Sequence, residues 1–202
     1  MIKNNPFPAT EIGDLNAPIP WWTWVVPVFV QVLGRILSPY LTVSPGIYLL
    51  YLPYLTGVPL VLWWGPRVLL GVWISSFFGA WLVDFPQEVI LFLGIAEVSK
   101  VGIGYLSWKY LKIYQKSLKN TWGVFYCWLL TFALPNFIGS YLLMAILTVG
   151  GVYRGEGFLS GFFIVTLIDT FMGLLVSFPC FIVMSNFMFR KGWTNWRKSP
   201  FE

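Results

Sequence analysis

Four charged residues interrupt stretches that are otherwise apolar: Arg35, Glu97, Lys100 and Asp169. An ionised side chain turned toward lipid is destabilised by roughly 3 kcal/mol or more, so such residues face a bundle interior and pair there. Glu97 and Lys100 stand at an i, i+3 spacing, which lets them pair within one helix. Asp169 then needs a cation from another segment, and Arg35 is the candidate. Asn136 and Ser140, four residues apart, either extend this polar set or join helices by side-chain hydrogen bonds. The residues alone leave two outcomes open: a polar pocket for a ligand or ion, and a structural ion-pair network.

Catalytic constellations are missing. The chain has no histidine, which removes the commonest general base and metal ligand together with serine–histidine and cysteine–histidine pairs. Asp14 and Asp84 lie outside the apolar segments, so no second aspartate accompanies Asp169. Gly102 and Gly104 form a G-x-G fragment inside a helix, without the strand and third glycine of a phosphate-binding turn. Cys127 and Cys180 both fall inside apolar runs and are expected as small buried hydrophobes. A non-enzymatic chain without cofactor or metal is expected. The net charge of +5 does not indicate nucleic acid, because the basic residues collect at the ends of apolar segments.

The elements that position these residues follow from composition. Of 202 residues, 57% are hydrophobic and 10% charged, against about a quarter charged in soluble domains. At roughly 20 apolar residues per crossing, this length accommodates about six helices in a bilayer. The expected fold is an all-α, polytopic membrane helix bundle. Residues 1–20 form a polar segment with Glu11 and Asp14, lacking the apolar core of a cleaved signal, and are expected to persist.

The membrane domain is expected over residues 21–189. Its first segment runs from Trp21 to about Tyr40, and the second from about Pro45 to Trp64, broken or kinked by Pro53 and Pro59. The third runs from Val68 to Val83. There Gly71, Ser75 and Gly79 recur every four residues and leave one face able to approach another backbone closely. The fourth starts near Gln87 and continues to Lys112, the fifth spans Trp122–Val149 around Pro135, and the sixth spans Gly157–Phe189 around Pro179. Both interior prolines predict kinks. Residues 190–202 read as a basic interfacial tail, and the 12 tryptophans as interfacial belts and packing. No internal repeat of the transporter type is evident.

Ten of the 13 basic residues fall on the side of the termini, Arg154 falls opposite, and Arg35 and Lys100 lie within helices. Both termini are therefore expected in the cytoplasm.

From Pro53 to Gly79 the chain reads PYLTGVPLVLWWGPRVLLGVWISSFFG, with Pro53, Gly57, Gly65, Arg67 and Gly71 at characteristic places. Ile95-Ala96-Glu97-Val98 follows, and then Asp169-Thr170-Phe171-Met172-Gly173 with Pro179 downstream. In this order, over Pro53 to Met184, the chain resembles the bacterial membrane-associated sensor domains of the first type, the MASE family. It departs in having Leu52 where that family usually has tryptophan, and Leu70 where proline is common. Those domains have more helices and feed a cytoplasmic kinase or cyclic-dinucleotide module, so a free-standing or truncated form is implied. The resemblance implies an inner-membrane, multi-pass sensory domain that binds a small ligand or a membrane protein partner and signals through another protein. It singles out Glu97, Asp169, Arg67, Gly173 and Pro179 without giving them a reaction. Two alternatives remain: a substrate-binding subunit of a vitamin-type importer, and an accessory structural subunit of a larger membrane complex.

The charge asymmetry makes a direct prediction. A cysteine at Lys116 should resist an impermeant thiol reagent in intact cells, whereas one at Gly155 should react; the opposite pattern would invert the orientation.

Overall fold

The structure, a computed structural model, describes residues 20–44, 47–48, 51–82, 85–113, 118, 120–153 and 157–196. Among the described residues, six helices carry the fold. A short 3-10 turn at Trp21–Trp24 leads into α1 (Val26–Leu37), followed by α2 (Leu52–Trp64), α3 (Arg67–Leu82), α4 (Gln87–Tyr110), α5 (Thr121–Val149) and α6 (Phe158–Arg190). Between α1 and α2 lie a second 3-10 turn, Ser38–Leu41, and a two-stranded antiparallel ribbon of β1 (Thr42–Ser44) and β2 (Ile47–Tyr48).

Three of these helices, α4, α5 and α6, are long and apolar enough to cross a membrane, with 24, 29 and 33 residues. At 1.5 Å per residue they extend roughly 36 to 50 Å, beyond the ~30 Å of a hydrocarbon core. Helices α1, α2 and α3 are apolar but shorter.

The first two helices correct the sequence reading. α1 ends at Leu37 instead of Tyr40, and α2 begins at Leu52 instead of Pro45; Pro45 itself lies outside the described residues. Ser38 marks the break: its hydroxyl donates to Gly34 O at 2.8 Å and accepts from Leu52 N at 3.3 Å, so one side chain serves the last turn of α1 and the first of α2. Pro53 sits in the first turn of α2, where no amide donor is needed, and opens the helix instead of breaking it.

α2 is apolar around its whole circumference and is buried from Pro53 to Trp64 except at Thr56. A helix hydrophobic on every side belongs in a core. It runs alongside α4, with Gly57 against Val101 at one level and both Trp63 and Trp108 against the Phe181 ring at another. This register starts α2 near Ala96, about 14 Å along α4 from its first turn at 1.5 Å per residue. The turn and ribbon therefore lie at the depth of α4's first half, and β2 lies against the first half of α6. Non-helical backbone at such depth is tolerated where protein encloses it.

Three prolines leave main-chain carbonyls that need new partners. Pro59 cannot donate to Leu55 O, and Ser177 Oγ donates there at 2.6 Å instead. Pro135 and Pro179 each follow a wide π turn, Leu129–Ala133 in α5 and Gly173–Ser177 in α6. The first of these turns exposes Phe132 O, which accepts from Tyr54 Oη at 2.6 Å. Gly104 lets α4 close on the same turn, since a Cβ there would come within 2.5 Å of Thr131 O. Both π turns are thus pinned to α2.

The small-residue face of α3 packs inside the molecule. A Cβ on Gly71 would lie 3.0 Å from Pro27 and Val28 of α1, and one on Gly79 would overlap the Arg35 side chain.

At the other end of α2, the chain's last described residues close the bundle. Asn195 N donates to Trp63 O at 2.8 Å and Trp196 Nε1 to Leu62 O at 2.7 Å, supplying donors to carbonyls in the last turn of α2. Thr194, Asn195 and Trp196 are buried, where the sequence suggested an interfacial tail. Trp22 meets both Trp64 and Trp193 edge-on at 5.3 Å, so the first and last described segments share this end. Trp63, Trp64, Trp108 and Trp196 are core residues, whereas Trp21, Trp24, Trp81 and Trp122 remain exposed.

Candidate functional site

The four internal charges come together, in pairings other than those the spacing suggested. Lys100 Nζ donates to Asp169 Oδ2 at 3.0 Å, joining α4 to α6. Arg35 Nη2 lies 3.9 Å from Glu97 Oε2, joining α1 to α4. Glu97 and Lys100 do not pair within α4, and Arg35 does not reach Asp169. The reason is angular: Glu97 faces Arg35 of α1, while Lys100, three residues along α4, faces Asp169 of α6.

Each cation is seated by a glycine. A Cβ on Gly139 of α5 would overlap the Lys100 stem, and one on Gly79 of α3 would overlap the Arg35 stem. Lys100 is fully buried, and Glu97 and Asp169 are nearly so. The guanidinium is further held by Ser76 Oγ, accepting from Nη2 at 2.7 Å, and by Ser75 Oγ, accepting from Nε at 3.4 Å. Tyr51 lies between the two ion pairs: its ring centroid is 5.6 Å from Arg35 Cζ and 5.7 Å from Lys100 Nζ. Tyr54 presents a second ring 5.6 Å from the same ammonium.

Asn136 and Ser140 form a neighbouring clamp. Asn136 Nδ2 donates to Thr166 O at 3.1 Å and Thr170 Oγ1 at 3.0 Å, and its Oδ1 accepts from Ser140 Oγ at 3.1 Å, tying α5 to α6. Gln31 Nε2 donates to Thr56 Oγ1 at 3.0 Å, linking α1 to α2 on the opposite flank. Two acids and two bases balance, so the cluster is neutral as a unit. Among the described residues no group of three or more acidic, cysteine or histidine side chains could hold a metal. The arrangement can exchange partners and receive hydrogen bonds.

No protein family, curated protein or solved structure matches the chain. The motif residues singled out in the sequence each have a structural place. Gly57 lets α2 approach Val101 and Gln31, and Gly65, at φ 76°, makes the turn into α3. Arg67 donates to Thr23 Oγ1 at 3.1 Å and lies 5.1 Å from the Trp24 ring, far from the charge cluster. Gly173 opens the π turn that precedes Pro179, with Tyr54 beside it. Cys127 is buried, but Cys180 is exposed on α6, its Sγ 3.4 Å from Met184 Sδ.

Sequence reasoning missed Tyr51, Tyr54, Ser76 and Gly139. Tyrosines three apart around Pro53 in an apolar run were the available signal for the first two. Gly139 gave none, since glycine is common in membrane helices.

Alanine in a helix interior is ordinarily preferred over glycine by about 0.5–1 kcal/mol. Gly139→Ala should nonetheless destabilise the protein by about 1–3 kcal/mol, because the methyl displaces Lys100. Gly102→Ala should be neutral or stabilising, since its Cβ meets only Leu69 at 3.7 Å. Denaturant midpoints in detergent decide it; equal behaviour would show that Lys100 is not held by this contact.

Proposed function

We propose that the chain is a membrane-embedded sensory module that responds at its buried charge cluster and passes the change to another protein at its terminal face. In this reading all six helices lie in the bilayer, both termini are cytoplasmic, and the chain is a relative of the membrane-associated sensor domains of the first type. One observation carries the proposal. α2 touches the charge cluster at its start, through Tyr51 and Tyr54 over Lys100, and holds the terminal segment at its end, through Leu62 and Trp63.

Tyr54 also grips the π turn of α5, and Leu55 that of α6. A π turn followed by proline is a place where a helix changes direction without losing a full turn of hydrogen bonds. A shift of α2 along its axis would reach both turns and the terminal segment together. The neutrality of the cluster suits a switch: its four charges can re-pair without leaving a net charge in the bundle. A sequence without histidine, the commonest general base, favours response over turnover.

The test monitors one end while perturbing the other. In a Cys180→Ala background, Thr194→Cys is buried and should react slowly with a thiol reagent in nanodiscs. Adding Asp169→Asn, which keeps shape and removes charge, should accelerate that reaction several-fold while the protein stays folded and monodisperse. An unchanged rate in the folded variant would mean that the cluster and the terminal face are not coupled.

A further inference from the structure

Among the described residues, Glu97 is the internal charge with no hydrogen-bond donor. Its side chain is 3% exposed, and its nearest cation, Arg35 Nη2, stands 3.9 Å from Oε2, beyond hydrogen-bond reach. The nearby serine and lysine donors are committed elsewhere. The hydroxyl hydrogens of Ser75 and Ser76 both go to Val72 O, at 2.8 Å each, so toward Arg35 these oxygens act as acceptors and neither has a hydrogen left for Glu97. Lys100, one turn along α4, donates to Asp169 and lies over two tyrosine rings. A buried carboxylate without a donor is the costliest state in such an interior.

The two charges restrict what can stand beside both. Two polar atoms 3.9 Å apart can both reach a single oxygen placed about 2.8 Å from each. An ammonium there would sit against the Arg35 guanidinium, and a carboxylate or phosphate against Glu97. A neutral hydroxyl has neither conflict, because one atom both donates and accepts.

We infer that the space between Arg35 and Glu97 is a hydroxyl-binding site, in which an O–H donates to the Glu97 carboxylate and its oxygen accepts from the Arg35 guanidinium. The hydroxyl belongs either to water or to a small neutral hydroxylated ligand. The Arg35 side chain is the more exposed of the two, at 12% against 3% for Glu97. The site rests on geometry alone and does not depend on the sensory reading.

The wild-type chain, crystallised from a lipid phase with no added alcohol or polyol, tests this directly. Density for one oxygen within hydrogen-bond distance of both Glu97 and Arg35 is expected. An isolated sphere identifies water as the source; density continuing into further atoms, with a matching co-purified mass in native mass spectrometry, identifies a hydroxylated ligand. A direct Arg35–Glu97 hydrogen bond with no room between them would overturn the inference, as would a vacant gap at a resolution that shows ordered waters elsewhere in the core.

Discussion

The ion pair between Lys100 and Asp169 is the interaction on which the rest of the arrangement depends. Two full charges removed from water are costly unless each finds its counter-charge close by, and here the pair meets at a hydrogen-bond distance of 3.0 Å. The requirement fixes the register of α4 against α6, because sliding either helix by one residue would separate the charges. It also dictates a glycine on α5, since the Lys100 stem crosses the space that any side chain at position 139 would fill. Packing by small residues and pairing of charges are therefore one constraint in this bundle.

α2 converts that local constraint into a property of the whole molecule. It is short, almost wholly enclosed, and interrupted by Pro59, a residue that would weaken an isolated helix. Its neighbours compensate: Ser177 supplies the donor that Pro59 lacks, Tyr54 uses its hydroxyl on a carbonyl of the α5 π turn, and Asn195 and Trp196 supply donors at its last turn. The irregularities of α2 and of the α5 π turn are answered by side-chain or main-chain groups of other segments. A helix held in this way moves with its neighbours or not at all.

Much of this was legible in the sequence. Helices α3 to α6 were bounded to within about two residues by apolar runs and turn residues, the margin within which helix ends are normally defined. The four internal charges stood out because apolar surroundings make them conspicuous. Their pairing did not, because i, i+3 spacing reports adjacency along a helix and says nothing of which neighbour each side chain faces. The break between α1 and α2 was also misplaced. Ser38 looks like an ordinary polar residue until both helix ends that it serves are seen together. The terminal segment was read as interfacial from its charge and tryptophans, whereas main-chain carbonyls of α2 draw Asn195 and Trp196 inside.

A double-mutant cycle on Lys100 and Asp169, measured as unfolding free energies in a fixed detergent, tests the dependence most directly. Lys100→Met and Asp169→Leu should each destabilise the protein by about 3–5 kcal/mol, because each leaves one buried charge unpaired. The double variant should recover most of that loss, since apolar groups of similar volume replace both charges. Single effects under about 1 kcal/mol that simply add would contradict the account, and would mean that apolar packing alone sets the register of the bundle.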